Sequence, residues 1–310
     1  SMPHSVMKSV KKWKHFSKVS DKSKSRQCRD FFMKKIILAR SIGWYINFLS
    51  YISPGKATAL SYRFFSRPRK GKLLENQLPK VLRRAQRETL LFTDGGRFES
   101  YIWPGNEQVI LLIHGWESNA SRWKKMLPEL QQTGKTIVAL DAPAHGLSDG
   151  LEFNVPRYAE AIDIAIKKYR PVALIGHSMG GIAILYHHFL HKNTGVEKMI
   201  LLGAPSDLRV LVDNYARLLG LKSRARRQLE HYFKERFGID VDEFSGHRFG
   251  REVQIQGIIA HDEDDTVVAY AESKKLAAGW GLASSITTRG LGHSMHDENL
   301  YRQIREFLGG

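Results

Sequence analysis

The chain has little cysteine, no long uncharged apolar run and, in its first third, almost no acid. The single cysteine, Cys28, cannot form an internal disulfide, which fits a reducing compartment. The longest apolar stretch, FFMKKIILARSIGWYINFLSYISPG (31–55), approaches membrane-spanning length but carries Lys34, Lys35 and Arg40 inside it. A charge at the bilayer centre costs a few kcal/mol or more, so a spanning helix is excluded. What remains is an amphipathic helix, lying on a membrane surface or packed against the main domain. Acidic residues are scarce at the start: residues 1–90 hold 4 Asp+Glu against 22 Lys+Arg, a net +18, while the other 220 residues sum to −1. The positive field therefore belongs to the N-terminal segment. It suits an anionic surface or a simple solvated arm. Nucleic acid is the weaker partner, because no recognition module accompanies the charge. No internal repeat is apparent.

At 310 residues, 42% hydrophobic and 25% charged, the chain has the composition of an ordinary globular protein. Ser1 precedes a methionine that reads as a natural start and is left out of the fold reasoning. Residues 1–30, rich in Lys and Ser without a sustained period, read as a disordered basic arm. Residues 31–90 read as a basic helical extension, broken around Arg67-Pro68, and 91–310 as the main domain. LLFTDGGRFESYIW is a hairpin, with Asp94-Gly95-Gly96 supplying the turn. Beyond it, apolar runs at 109–114, 136–141, 171–176, 198–203, 253–260 and 284–289 read as buried strands. Amphipathic stretches such as 156–169, 180–192 and 297–308 lie between or after them. This alternation predicts an α/β fold, a mostly parallel sheet flanked by helices. In such sheets the reactive loops gather at the carboxyl ends of the strands. His114-Gly115-Trp116, Gly176-His177-Ser178, Asp262 to Asp265 and Gly290-Leu291-Gly292-His293 all follow strands.

Gly176-His177-Ser178-Met179-Gly180 fits G-x-S-x-G between a strand and a helix. A serine in so sharp a turn needs neighbours without side chains, and the following helix points its amino terminus at developing negative charge. A serine alone is a weak nucleophile and needs a base. His293, after the last strand, is the expected base; His296, three residues on, reads as a solvated helix residue. The base needs a carboxylate to hold its tautomer. Asp265, in an Asp-x-x-Val spacing, is the expected acid, with Asp264 a close competitor and Asp207 a more distant one. Backbone donors for an oxyanion would come from Met179 and Trp116.

The order HGW…DAPAHGLSDG…GHSMGG…HDEDD…GLGH resembles the α/β-hydrolase superfamily over roughly residues 90–308. It is most similar to the branch of bacterial esterases, monoacylglycerol lipases and proline-iminopeptidase-like enzymes. The resemblance implies a structural role for the loop holding Asp141 and His145, and a small helical cap in the insert 206–252. Where many members have proline after the Asp-x-x-Val, this chain has Ala269. The implied activity is hydrolysis of carboxylic esters, including lipid or acyl esters, through an acyl-enzyme on Ser178, with no metal or organic cofactor. Amide cleavage of the aminopeptidase kind, thioester cleavage and a non-catalytic binding role on the same fold are the alternatives. The expected location is cytoplasmic, with peripheral contact to an anionic membrane through residues 1–55.

Overall fold

A computed structural model describes residues 22–192 and 195–309. Most of the expected disordered arm thus lies outside the described residues; its last part, from Lys22, belongs instead to a helix running to Ile52. All six apolar runs become strands of one eight-stranded sheet, in the order β1-β2-β4-β3-β5-β6-β7-β8. The strands are β1 Gln86–Leu91, β2 Arg97–Trp103, β3 Asn106–Ile113, β4 Lys135–Leu140, β5 Ala173–His177, β6 Lys198–Leu202, β7 Gln256–Asp262 and β8 Ala283–Thr288. β1 and β2 form the expected antiparallel hairpin, with Leu91 opposite Arg97, and β2 runs antiparallel to β4; β3 to β8 are parallel.

The helices are α1 Lys22–Ile52, α2 Pro54–Ser66, α3 Lys80–Arg83, α4 Leu127–Gln131, α5 Val155–Tyr169 and α6 Met179–His191. They continue with α7 Leu208–Leu219, α8 Ser223–Phe237, α9 Gly246–Gly250, α10 Ala271–Gly279 and α11 Glu298–Phe307. Successive residues of a strand face opposite sides. In β3, Leu111 and Ile113 accordingly enter the core beneath α5 and α6, while Ile110 and Leu112 enter the one beneath α4 and α11. Covering both faces is what makes these runs continuously apolar.

Three features differ from the sequence expectation. The run at 284–289 is not a buried strand: β8 closes the sheet as an edge, and Ser284, Ser285 and Thr287 are exposed. Its polar sequence, ASSITT, suits an edge that must not pair further. The segment 56–90 is helical only in α2, a short 3-10 turn at Glu75–Gln77 and α3; Gln86 to Leu90 are strand, drawn into the sheet by the hairpin register. In Ser53-Pro54-Gly55, a sequence expected to stop a helix, Pro54 does more than end the helix before it. It opens α2, where its missing N–H costs nothing.

The insert 206–252 folds into α7, α8 and α9, above the carboxyl edge of the sheet. α7 buries Leu208, Val212, Ala216 and Leu219. The N-terminal helices pack on this insert. A Cβ at Gly43 would overlap the Leu219 carbonyl, so the α1–α7 crossing needs glycine there. Ile46, fully buried, meets Leu219 and Ala225. Asn47 clamps the turn between α7 and α8, its amide donating to Gly220 O at 2.9 Å and its carbonyl accepting from Lys222 N at 2.8 Å. The Tyr215 hydroxyl donates to Ser61 O of α2 at 2.7 Å. The extension and the insert therefore form one roof.

Candidate active site

Ser178 sits between β5 and α6 at φ 52°, ψ −123°, a backbone conformation that costs energy in a residue with a Cβ. Two close approaches hold it there. Ser178 N donates to Leu202 O of β6 at 2.9 Å, and a Cβ on Gly180 would run into the Ile113 carbonyl. Met179 is the first residue of α6, so its N–H is one of the helix-start donors without an intrahelical acceptor.

The Asp265 and His293 side chains meet directly, with Nδ1 2.7 Å from Oδ2. The Asp265 Oδ1 accepts from the backbone N–H of Val267 at 2.8 Å and Val268 at 3.0 Å. His261 Nε2 approaches Oδ2 at 3.4 Å. Burial alone would raise the Asp265 carboxyl; hydrogen bonds from His261, His293 and the two backbone amides outweigh it and hold the group far below the usual carboxylate range. His293 is tied to the elbow by His177, whose Nε2–H donates to His293 O at 2.7 Å, the two rings lying 4.8 Å apart. Burial pushes His177 well below its ordinary range, so it serves as a neutral donor.

Asp264, the close competitor, is exposed on the outside of this turn. Asp207 lies across the site, held by Lys275 Nζ at 2.7 Å, Ser245 Oγ at 2.7 Å and Ser206 Oγ at 2.9 Å. His296 departs from the expectation of a solvated residue. It precedes α11, is half-buried with Nδ1 2.5 Å from the Tyr301 hydroxyl, and burial lowers it to about 4.

The β3 loop is built around two buried histidines. His114 Nδ1–H donates to Gly115 O at 2.7 Å while Nε2 accepts from Ala142 N at 2.9 Å, which fixes a neutral tautomer. Because a trans peptide points its C=O and N–H to opposite edges, holding the Gly115 carbonyl also sets the direction of the Trp116 N–H. His145 accepts from Glu117 N at 3.0 Å and bonds Pro143 O at 2.9 Å. Asp141, fully buried, accepts from Tyr101, Ala120 and Leu147 at 2.8–3.0 Å. A Cβ at Gly115 would lie 2.7 Å from Ser178 Cβ and 3.3 Å from its Oγ. Gly115→Ala should therefore displace the serine and slow its reaction with a fluorophosphonate at least about tenfold, with a stability cost of about 1–3 kcal/mol from overpacking. Labelling rates and thermal melts of the pair check both.

Ser178, Met179 and Trp116 line a cavity of about 1040 Å³. Its walls are otherwise largely apolar: Phe153, Ile182, Val267 and Val268 from the main domain, and Leu211, Tyr215, Phe233, Phe237 and Ile239 from the insert. Ile36, Leu38, Ala39 and Ile42 of α1, with Tyr62, Phe64 and Phe65 of α2, complete it. Sequence reasoning missed these N-terminal residues; the signal was that α1 carries more apolar residues between Ile36 and Ile52 than a helix docked along one stripe needs. Among the described residues, Asp163, His187 and His191 could hold a metal, their ligand atoms within 4.8 Å of one another. They lie between α5 and α6, outside the cavity lining, and Asp163 already receives Lys167 and His187.

A strand-elbow-helix serine, a histidine paired to a carboxylate at the end of the neighbouring strand and an insert over the sheet edge define the α/β-hydrolase class, and the chain belongs to it. The description "Alpha/beta hydrolase family" matches residues 110–303. Among curated proteins, human Serine hydrolase-like protein 2 is 30% identical over 156 residues, 48% of this chain and 46% of that one. Phospholipase YtpA of Bacillus subtilis (strain 168) is 26% identical over 141 residues, 43% of this chain and 53% of that one. The chain spans about half the length of these curated relatives. The solved esterase of Pyrococcus furiosus matches with a TM-score of 0.58 at 15% identity, over 78% of this chain and 96% of that one, a likeness of fold.

Proposed function

We propose that the protein hydrolyses carboxylic esters of apolar acyl groups through an acyl-enzyme on Ser178. The observation that carries this reading is the 2.7 Å contact of His293 Nδ1 with Asp265, on an elbow whose serine opens into an apolar cavity. With Nδ1–H donated to Asp265, His293 Nε2 is the nitrogen left to accept a proton. Ser178 Oγ attacks the acyl carbon as His293 takes that proton, and the oxyanion is met by the N–H groups of Met179 and Trp116. Collapse breaks the ester C–O bond, His293 Nε2 giving the proton to the leaving alcohol. Water, deprotonated by the same nitrogen, then releases the acid and restores Ser178. His177 and His261 are positioning residues, one holding the backbone of the base and the other the carboxylate.

The names of the relatives, serine hydrolase-like proteins and a phospholipase among them, support this reading. Peripheral contact to an anionic membrane through residues 1–55 belongs to the same proposal and is supported by the +18 charge of residues 1–90; a cytoplasmic location belongs to it on the scarcity of cysteine.

A series of p-nitrophenyl esters from acetate upward, beside aminoacyl amides and acyl thioesters, tests it. kcat/KM should rise at least about tenfold from acetate to a medium-chain acyl group as methylenes enter the cavity, each worth up to about 0.8 kcal/mol. Faster turnover of aminoacyl amides than of any ester would overturn the ester assignment.

A further inference from the structure

We infer that α1 is an interfacial helix: its outer stripe seats on an anionic phospholipid surface while its inner face walls the Ser178 cavity, so that the cavity opens toward lipid and takes a membrane-resident acyl ester. The choice of substrate rests on the esterase reading; the docking does not.

The two faces of α1 are distinct. Ile36, Ala39 and Ile42 turn toward the cavity, and Gly43 and Ile46 toward α7. On the other side Met33, Ile37, Trp44, Phe48 and Tyr51 follow one another at helical steps of four, seven, four and three residues. They are 54%, 59%, 69%, 50% and 64% exposed. Trp44 and Phe48 stack at 5.9 Å, forming a flat aromatic ridge rather than scattered side chains. Single exposed apolar residues are ordinary, but five of them on one face over five turns, interrupted only at Arg40 and Ser41, are a surface that something covers.

The surrounding charge identifies what covers it. Residues 31–74 contain nine Lys or Arg and no Asp or Glu. Arg40 flanks the stripe on α1, and Lys56, Arg63 and Arg67 are exposed in and just after α2. An apolar stripe edged by cations is the pattern of a helix lying in the headgroup region, with aromatic rings at the boundary and basic groups reaching phosphates. A second copy of the chain would set this acid-free, strongly basic segment against itself. Nucleic acid would use the cations and leave the stripe in water. No helix among the described residues is long and apolar enough to cross a membrane, so the contact is peripheral. Because Ile36 and Ile37 are neighbours on one helix, lipid on the outer face lies one helix diameter, about 10 Å, from the cavity wall.

The test uses the full chain, sedimented with vesicles of phosphatidylcholine alone or mixed with phosphatidylglycerol. The protein should pellet with the mixed vesicles, less with neutral ones and less again as salt rises. Trp44→Glu/Phe48→Glu, at exposed positions outside the cavity, should cut that partitioning at least about tenfold. It should leave hydrolysis of soluble p-nitrophenyl butyrate within about twofold, and lower hydrolysis of a long-chain ester embedded in the mixed vesicles about tenfold. A thermal melt matching the parent shows that the variant folds. Failure to pellet, or undiminished pelleting by the variant, overturns the docking. Self-association abolished by the same substitutions, without vesicle binding, assigns the stripe to a second copy and also overturns it. Absence of ester turnover with vesicle binding intact would instead defeat the esterase reading, since partitioning is measured without turnover.

Discussion

Replacing Ser178 by alanine is expected to abolish fluorophosphonate labelling and to lower kcat for the best ester by about 10⁴–10⁶-fold, with KM little changed. The size follows from the division of labour at the site. In the proposed mechanism the hydroxyl supplies the attacking atom, and without it no acyl-enzyme would form for His293 to assist. The donors of Met179 and Trp116 would remain and can still bind a carbonyl oxygen, which is why some catalysis over water should persist. The substitution also removes a hydroxyl from a nearly buried elbow whose backbone is held by Leu202 and by the approach of Gly115 and Gly180, so fold and cavity should survive. An alanine variant that labels as fast as the parent would place the nucleophile elsewhere.

Asp265→Asn should cost about 10⁴-fold in kcat, while Asp264→Asn should stay within about twofold, as exposed substitutions usually do. The asymmetry comes from the hydrogen bonds around Asp265. Its Oδ1 accepts two backbone amides, Val267 and Val268, and its Oδ2 accepts His293. An asparagine keeps its carbonyl where the two amides demand an acceptor, which turns its NH₂ toward His293 Nδ1. His293 must then accept at Nδ1 and carry its proton on Nε2, the tautomer that cannot take a proton from Ser178. A large loss in Asp264→Asn with Asp265→Asn near normal would move the acid to the competitor.

The same pair gives a pH signature in stability. The folded Asp265 carboxyl titrates below its unfolded value, so the stability it contributes is fully present above the unfolded value, about 3.9, and is lost as pH falls toward the folded one. Asp265→Asn should therefore flatten the acid limb of a denaturant-midpoint profile below about pH 4 relative to the parent. An unchanged slope there would mean that the carboxylate is not held in its charged form.

The sequence by itself determined the sheet and the neighbourhood of the site. Buried parallel strands must be apolar on both faces, so VILLIH, TIVALD and PVALIG announce themselves without partners, and strand ends bring serine, histidine and acids to one edge. The sharp turn at Ser178 was legible because glycine is required within two residues of it. Local sequence favoured Asp265 by its Asp-x-x-Val spacing but left Asp264 a close competitor, because adjacent residues in one turn differ only in which way they face. Which of the two is buried, and which one His293 approaches from a loop 28 residues on, is decided only in the folded chain. Nor could it separate buried His177, His114 and His261 from ordinary surface histidines, since their partners lie on other strands. Above all, tertiary structure decided the fate of the basic N-terminal segment. A helix with apolar residues on two faces gives no preferred direction in sequence; only the close crossing at Gly43, where Leu219 of the insert arrives, turns one face onto the cavity and leaves the other outside.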